Sequence, residues 1–194
     1  SRIWFNYQGQ PNSIYTGNFG KPNQVGRVLD DGSTQRQQYQ YNSQGNITLS
    51  IDPEGRETHY RYAENGIDLI QIQQKNSVGF DTLLEVAYND KHLPINITDA
   101  AKQTTQISYN ESGQRLAVIN ALGQTTTYQY DAQGYLIKIY NHANRVQQSF
   151  SYDDIGRIAS VTDSEGYTLR YQYDALNRLT SIRYPDNSET TLVW

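Results

Sequence analysis

The sequence predicts an all-β repeat architecture, an antiparallel meander of β-hairpins, on three observations. A tyrosine recurs in register at Tyr41, Tyr62, Tyr88, Tyr109, Tyr130, Tyr152 and Tyr173, in steps of 21, 26, 21, 21, 22 and 21 residues. A fixed period of this size marks a repeat protein. Two positions before each tyrosine stands an aromatic or β-branched residue: Tyr39, Tyr60, Val86, Ile107, Tyr128, Phe150 and Tyr171. Turn signals interrupt the chain every ten or so residues, which leaves room for strands and not for helices.

The elements follow in order. Residues 1–36 are the least regular. Pro11-Asn12, Gly17-Asn18, Gly20-Lys21-Pro22-Asn23 and Asp31-Gly32 read as turns, and Ile3-Trp4-Phe5 and Arg27-Val28-Leu29 as short strands. This segment is expected to be a divergent repeat or to cover one end of the sheet. Residues 37–194 are tandem units of about 21–22 residues, each strand–turn–strand–turn. The first turn follows the tyrosine: Asn42 to Gly45, Asn110 to Gly113, Asp131 to Gly134, Asp153 to Gly156, Asp174 to Asn177. An Asx side chain at its first position bonds the backbone two residues on. Gly, or Asn in its place, accepts the left-handed conformation at the fourth. The second turn has the same grammar at Asp52 to Gly55, Asn120 to Gly123 and Asp163 to Gly166, with variants at Asn141 to Asn144 and Pro185 to Asn187.

Between turns, segments such as Thr168-Leu169-Arg170-Tyr171-Gln172-Tyr173 alternate with period two and put Thr and both Tyr on one face. Their partners, such as Arg157-Ile158-Ala159-Ser160-Val161-Thr162, carry apolar residues three apart. Either both faces are partly covered or a bulge resets the phase. Two copies depart from the pattern. Tyr62-Ala63-Glu64-Asn65-Gly66 lacks the Asx, and five extra residues within Gln73 to Asp81 predict a longer, mobile loop over Gln73 to Gly79. The next copy has Lys91-His92 where the turn glycine is expected.

Composition narrows the function classes. Apolar content is 36%, below the roughly 45–50% of soluble domains, while Gln and Asn number 20 and 16 and Tyr 17. A thick core is not expected; a thin sheet of half-buried tyrosines is, each ring packed and each hydroxyl wet. The net charge of −4 offers no basic stripe for nucleic acid. No run approaches a membrane span, and no signal-peptide hydrophobic region opens the chain. Cysteine is absent, which removes disulfides and thiol chemistry. Methionine is absent too, and Leu192 and Trp194 fall 21 residues after Tyr171 and Tyr173, so the chain is read as a piece of a longer protein.

These units resemble the RHS/YD-repeat family, whose unit runs approximately Tyr-x-Tyr-Asp-x-x-Gly-Arg-Leu, then Val-Thr-Asp, then Gly and Thr before the next tyrosine pair. The closest copies run from Tyr152 to Asp163 and from Tyr173 to Leu179. The resemblance covers residues 37–194 well and 1–36 weakly. It implies a sheet that curves and spirals into a hollow shell, as in Rhs polymorphic toxins, Tc toxin B and C components, wall-associated proteins and teneurins. In the toxins the shell encloses a C-terminal toxic domain. The resemblance implies a secreted, cell-surface or injected bacterial protein, partnered by further YD repeats and that enclosed domain. The family's self-cleavage region carries an Asp-Pro-x-Gly element; here Asp52-Pro53-Glu54-Gly55 occupies an ordinary second-turn slot and is read as a turn.

The residues expected to matter are therefore structural: Tyr39, Tyr41, Tyr60, Tyr62, Tyr88, Tyr109, Tyr128, Tyr130, Tyr152, Tyr171 and Tyr173 in the strands, with Asp131, Asp153, Asp174, Gly45, Gly113, Gly134 and Gly156 in the turns. No catalytic, cofactor-binding or metal-ligating set is expected. His59, His92 and His142 lie in different copies and read as solvated polar residues. Asp30-Asp31 and Asp153-Asp154 read as turn formers rather than a cation site. The leading expectation is a non-enzymatic segment of a shell that encapsulates a toxin or other cargo. The alternative is a module binding carbohydrate or protein through its tyrosine rows. Unpaired sheet edges also invite self-association.

Overall fold

The computed structural model describes residues 2–12, 14–15 and 17–194; Ser1, Ser13 and Thr16, all inside the 1–36 segment, lie outside the described residues. The chain falls into two units, Ser1–Thr104 and Thr105–Trp194. The first unit holds β1 (Arg2–Tyr7), β2 (Pro22–Val28), β3 (Thr34–Tyr41), β4 (Ile47–Ile51), β5 (Glu57–Tyr62), β6 (Leu69–Lys75), β7 (Phe80–Tyr88) and β8 (Pro94–Asp99). Each pairs antiparallel with the next in sequence. The second unit holds β9 (Thr104–Tyr109), β10 (Arg115–Ile119), β11 (Thr125–Tyr130), β12 (Leu136–Tyr140), β13 (Val146–Tyr152), β14 (Ile158–Asp163), β15 (Thr168–Tyr173), β16 (Leu179–Arg183) and β17 (Glu189–Thr191). They too pair antiparallel in chain order. The expected all-β hairpin meander is the observed fold.

Both units are single layers. Among the described residues no apolar side chain is fully buried. The accessible surface is 13323 Å² for 22.2 kDa, against about 9,400 Å² from the scaling for compact monomers. The marker tyrosines are half-buried, and the residue just before each one, such as Gln40, Arg61, Gln129 and Gln172, is exposed. One face of each sheet is therefore tyrosine-rich and partly covered, and the other is polar and open.

The turns repeat one hydrogen-bond pattern. At Asp174 the backbone N–H bonds to the Arg178 carbonyl at 3.0 Å, and the Asn177 N–H bonds to the Asp174 carbonyl at 3.1 Å. The fourth residue holds a positive φ: between 80° and 90° at Gly45, Gly113, Gly134 and Gly156, and 62° at Asn177. This is a type I turn closed by a left-handed residue. His92 takes the same conformation, φ 60°, in the slot where the sequence lacks a glycine. Lys102, φ 61°, does so in the turn after Asp99, which has neither Gly nor Asn to announce it.

The phase question is settled by a bulge. In the β15–β16 hairpin Gln172 opposes Ser181 and Tyr173 opposes Leu179, which leaves Thr180 extra. The same shift falls just before Tyr41, Tyr62, Tyr88, Tyr130 and Tyr152. Directly opposed residues share a face, so the bulge brings Leu179 and Ile182, three apart in sequence, onto the tyrosine face opposite Tyr173 and Tyr171.

The expected mobile loop over Gln73 to Gly79 is corrected. The extra residues lengthen strands instead: Gln73 pairs with Thr82, Gln74 with Asp81 and Lys75 with Phe80. A tight turn follows, in which the Asn76 side chain accepts N–H bonds from Val78 and Gly79 at 2.9 and 2.7 Å. An Asx residue placed there allows the ladder to continue almost to the tip.

Candidate functional site

The site that the repeat builds in each copy is a seam between hairpins. The pairing of β14 with β15 covers only Ser160↔Arg170, Val161↔Leu169 and Thr162↔Thr168. Beyond it the bulge carries β14 out of register and leaves the Ile158 carbonyl without a ladder partner. The Tyr173 hydroxyl donates to that carbonyl at 3.0 Å. Tyr41 does the same to the Pro22 carbonyl at 2.7 Å, Tyr62 to Ile47 at 3.0 Å and Tyr88 to Leu69 at 3.1 Å. Tyr130 bonds the Arg115 carbonyl at 3.0 Å and Tyr152 that of Leu136 at 2.8 Å. Trp194 fills the slot with its indole Nε1, which donates to the Leu179 carbonyl at 2.8 Å. Burial pushes the phenols of Tyr41, Tyr62, Tyr88, Tyr130, Tyr152 and Tyr173 above the usual tyrosine range, which keeps them protonated donors.

The first tyrosine of each pair packs differently. Tyr60 opposes Ile72, Tyr128 opposes Ile139 and Tyr171 opposes Ile182. Tyr39 opposes Ser50, donates its hydroxyl to the Gln37 side chain at 2.7 Å and lies 6.4 Å from the Tyr41 ring. In the copy whose first position is Ile107, that residue opposes Val118, and the marker Tyr109 opposes Arg115.

The turn aspartates order the entry to each bulge. Asp131 Oδ1 accepts the N–H groups of Gln133 and Tyr135 at 3.0 and 2.8 Å. Asp153 accepts those of Ile155 and Arg157 at 3.1 and 2.9 Å, and Asp174 those of Leu176 and Arg178 at 2.8 and 2.9 Å. The Arg178 backbone bond and its guanidinium hold the Asp174 carboxyl below the usual range.

Neighbouring turns are then tied together. Arg157 pairs with Asp153 at 2.7 Å, donates to the Asp174 carbonyl at 3.1 Å and to Asn177 Oδ1 at 3.0 Å, and lies 4.8 Å over the Tyr173 ring. Gln114 donates to the Gly134 carbonyl at 2.6 Å, and Asn42 and Asn46 both donate to the Gly66 carbonyl, at 2.7 and 3.0 Å.

The histidines do not converge. His59 packs edge-on against Phe80 at 4.9 Å and meets Glu57 at 3.2 Å. His92 is exposed, in keeping with its reading as a solvated residue, and it makes one specific contact besides. Its Nδ1 lies 2.7 Å from Asp68 Oδ2, and the Asp68 side chain is only 11% exposed. Asn65 donates to the same carboxylate at 2.8 Å, and its own Oδ1 accepts the N–H groups of Ile67 and Asp68. Asn65 thus supplies the Asx function that position 63 lacks, in a turn one residue longer. The His92 bond holds the Asp68 carboxyl below its ordinary value. Asp31 and Asp52 sit in turns. Asp31 accepts the Ser33 N–H and hydroxyl, and Asp52 accepts the Glu54 and Arg56 N–H groups in the Asp-Pro-x-Gly turn. Among the described residues no cluster suits a metal ion, and no helix is long and apolar enough to cross a membrane.

Sequence reasoning missed the carbonyl acceptors and the turn-to-turn links. The acceptors of these six tyrosines lie 15 to 19 residues back in the chain, and only the strand register identifies them. The Gly-Arg step after the turn was the available signal for Arg157.

The RHS Repeat family model matches residues 109–147 and 152–189. Among solved structures, the chain is similar to TcdB2-TccC3-Cdc42, with 15% identity and a TM-score of 0.69 over 89% of this chain and 11% of that one. It is similar to TcdB2-TccC3, with 16% identity and a TM-score of 0.69 over 89% and 12%, and to TcdB2-TccC3 without its hypervariable C-terminal region, with 16% identity and a TM-score of 0.70 over 89% and 11%. At such identities the likeness is one of fold. No curated protein sequence matches. Residues 109–147 and 152–189 thus carry RHS repeats, and the fold of the chain is that of the TcdB2-TccC3 structures.

Proposed function

We propose that this chain is a non-catalytic segment of a containing wall, part of a secreted or injected toxin-like protein whose further repeats enclose a cargo domain. The observation that carries this reading is the seam. Six of the marker tyrosines tie their hairpins to the preceding strands through a half-buried ring and its hydroxyl, and among the described residues no apolar side chain is fully buried. Such a sheet suits a barrier better than a binding cleft, because the tyrosines are engaged in joining strands. The repeat tyrosines, from Tyr39 to Tyr173, and the turn Asx and Gly positions act as wall residues throughout 37–194. The segment 1–36 serves as a divergent end. The similarity in fold to TcdB2-TccC3 chains, of which this chain spans about a tenth, supports a place inside a much longer wall.

A paired substitution tests it. Tyr130→Phe with Tyr173→Phe keeps both rings and removes two hydroxyl bonds worth about 1 kcal/mol each, so the melting temperature should fall by about 4–8 °C. The unsubstituted chain should ignore a glycan panel. Unchanged melting, together with glycan binding that the substitutions abolish, would overturn the wall in favour of a carbohydrate-binding face.

A further inference from the structure

The 26-residue step between Tyr62 and Tyr88 makes β7, at 9 residues, the longest strand. Its first half is paired on one side only. Phe80, Asp81 and Thr82 pair with Lys75, Gln74 and Gln73 of β6. On the other side the ladder to β8 begins at Leu84↔Asp99, where the chain turns back through Lys102. In an antiparallel ladder the backbone groups of successive residues face alternate neighbours. Counting from the Asn76 N–H bond to the Gly79 carbonyl at 2.9 Å, Gly79 and Asp81 face β6. Phe80 and Thr82 therefore turn their N–H and C=O groups outward, and among the described residues no backbone bond meets them there. Asp81, between them, is exposed and forms no ion pair among the described residues. Phe80 is 50% and Val78 94% exposed beside this edge.

We infer that the outer half of β7 is a strand-addition site for an extended polypeptide segment of a partner protein, one that places Lys or Arg opposite Asp81. Two outward residues two apart match the hydrogen-bond repeat of an incoming antiparallel strand. A second copy of this chain fits poorly. Pairing Phe80 with Thr82 of the copy sets Asp81 directly against the copy's Asp81, and like charges facing across a ladder repel. A basic residue in that place turns the same contact attractive, and apolar residues beside it cover Phe80.

The test uses the whole chain and a fluorescein-labelled peptide, acetyl-Thr-Val-Lys-Val-Thr-Val, followed by fluorescence anisotropy. Saturable binding is expected, weakened about fivefold when the peptide Lys becomes Glu. Asp81→Lys should reverse that preference. Thr82→Pro removes an outward N–H while leaving the bonds toward β6, so it should abolish binding with the circular dichroism unchanged. Absence of binding at millimolar peptide, or binding indifferent to both substitutions, overturns the site. A dimer of the unsubstituted chain that Thr82→Pro dissolves overturns the choice of occupant.

Discussion

Each marker tyrosine divides its work between ring and hydroxyl. At Tyr41, Tyr62, Tyr130, Tyr152 and Tyr173 the ring covers an aliphatic residue across the bulge, and the hydroxyl bonds a carbonyl of the preceding hairpin. The slot asks for a planar donor at the right reach rather than for a phenol, and Trp194 meets it with an N–H. In the turn that departs from the pattern Asn65 takes the turn-aspartate role, and it and His92 both meet the Asp68 carboxylate. The folded protein holds this carboxyl below its unfolded value. Its contribution is therefore present above the unfolded pKa, about 4, and is lost as the pH falls through the lower folded value. Asp68→Asn should lower the melting temperature at pH 7 and flatten its decline below about pH 4. Parallel acid melting curves for the two proteins would remove Asp68 from the account.

Hairpins in this protein are defined by their turns. Gly123, φ 74°, has open space where a Cβ would go. Gly123→Ala should cost about 1 kcal/mol for the left-handed backbone alone, and Gly123→Asn less, since Asn144, Asn177 and Asn187 already occupy that conformation. A Cβ at Gly156 would also collide with the Tyr135 hydroxyl, whose ring is held by stacking on Tyr152 at 4.7 Å. Gly156→Ala should therefore destabilise more than Gly123→Ala by at least about 1 kcal/mol in urea unfolding. This turn grammar was legible in the sequence because it is local: an Asx and a left-handed residue announce themselves within four positions. The bulge was legible only as a three-residue spacing with two explanations, since choosing between them needs the register of the partner strand. The Gln73 to Asp81 insertion looked like a loop because its polar residues carry no alternation of apolar side chains, yet backbone pairing requires none. The turn ending at Lys102 was invisible for want of a Gly or Asn.

Across the whole molecule the balance of forces is unusual for 194 residues. With no fully buried apolar side chain among the described residues, stability is a sum of small repeated terms: ladder bonds, half-covered rings and the tyrosine seam. Less apolar surface leaves water than in a compact domain of this length. The heat-capacity change of unfolding should then fall below the ordinary value of about 2.3–2.9 kcal/mol/K, as read by scanning calorimetry. A value inside that range would require buried apolar contact that the sheets do not provide. The direction of the tyrosine bonds carries a last consequence. Every one reaches back to a hairpin 15 to 19 residues earlier in the chain. A seam can therefore close using only residues that translation has already delivered. A new hairpin leaving the ribosome finds its docking partner finished, and the sheet grows like masonry, one course at a time from the amino terminus.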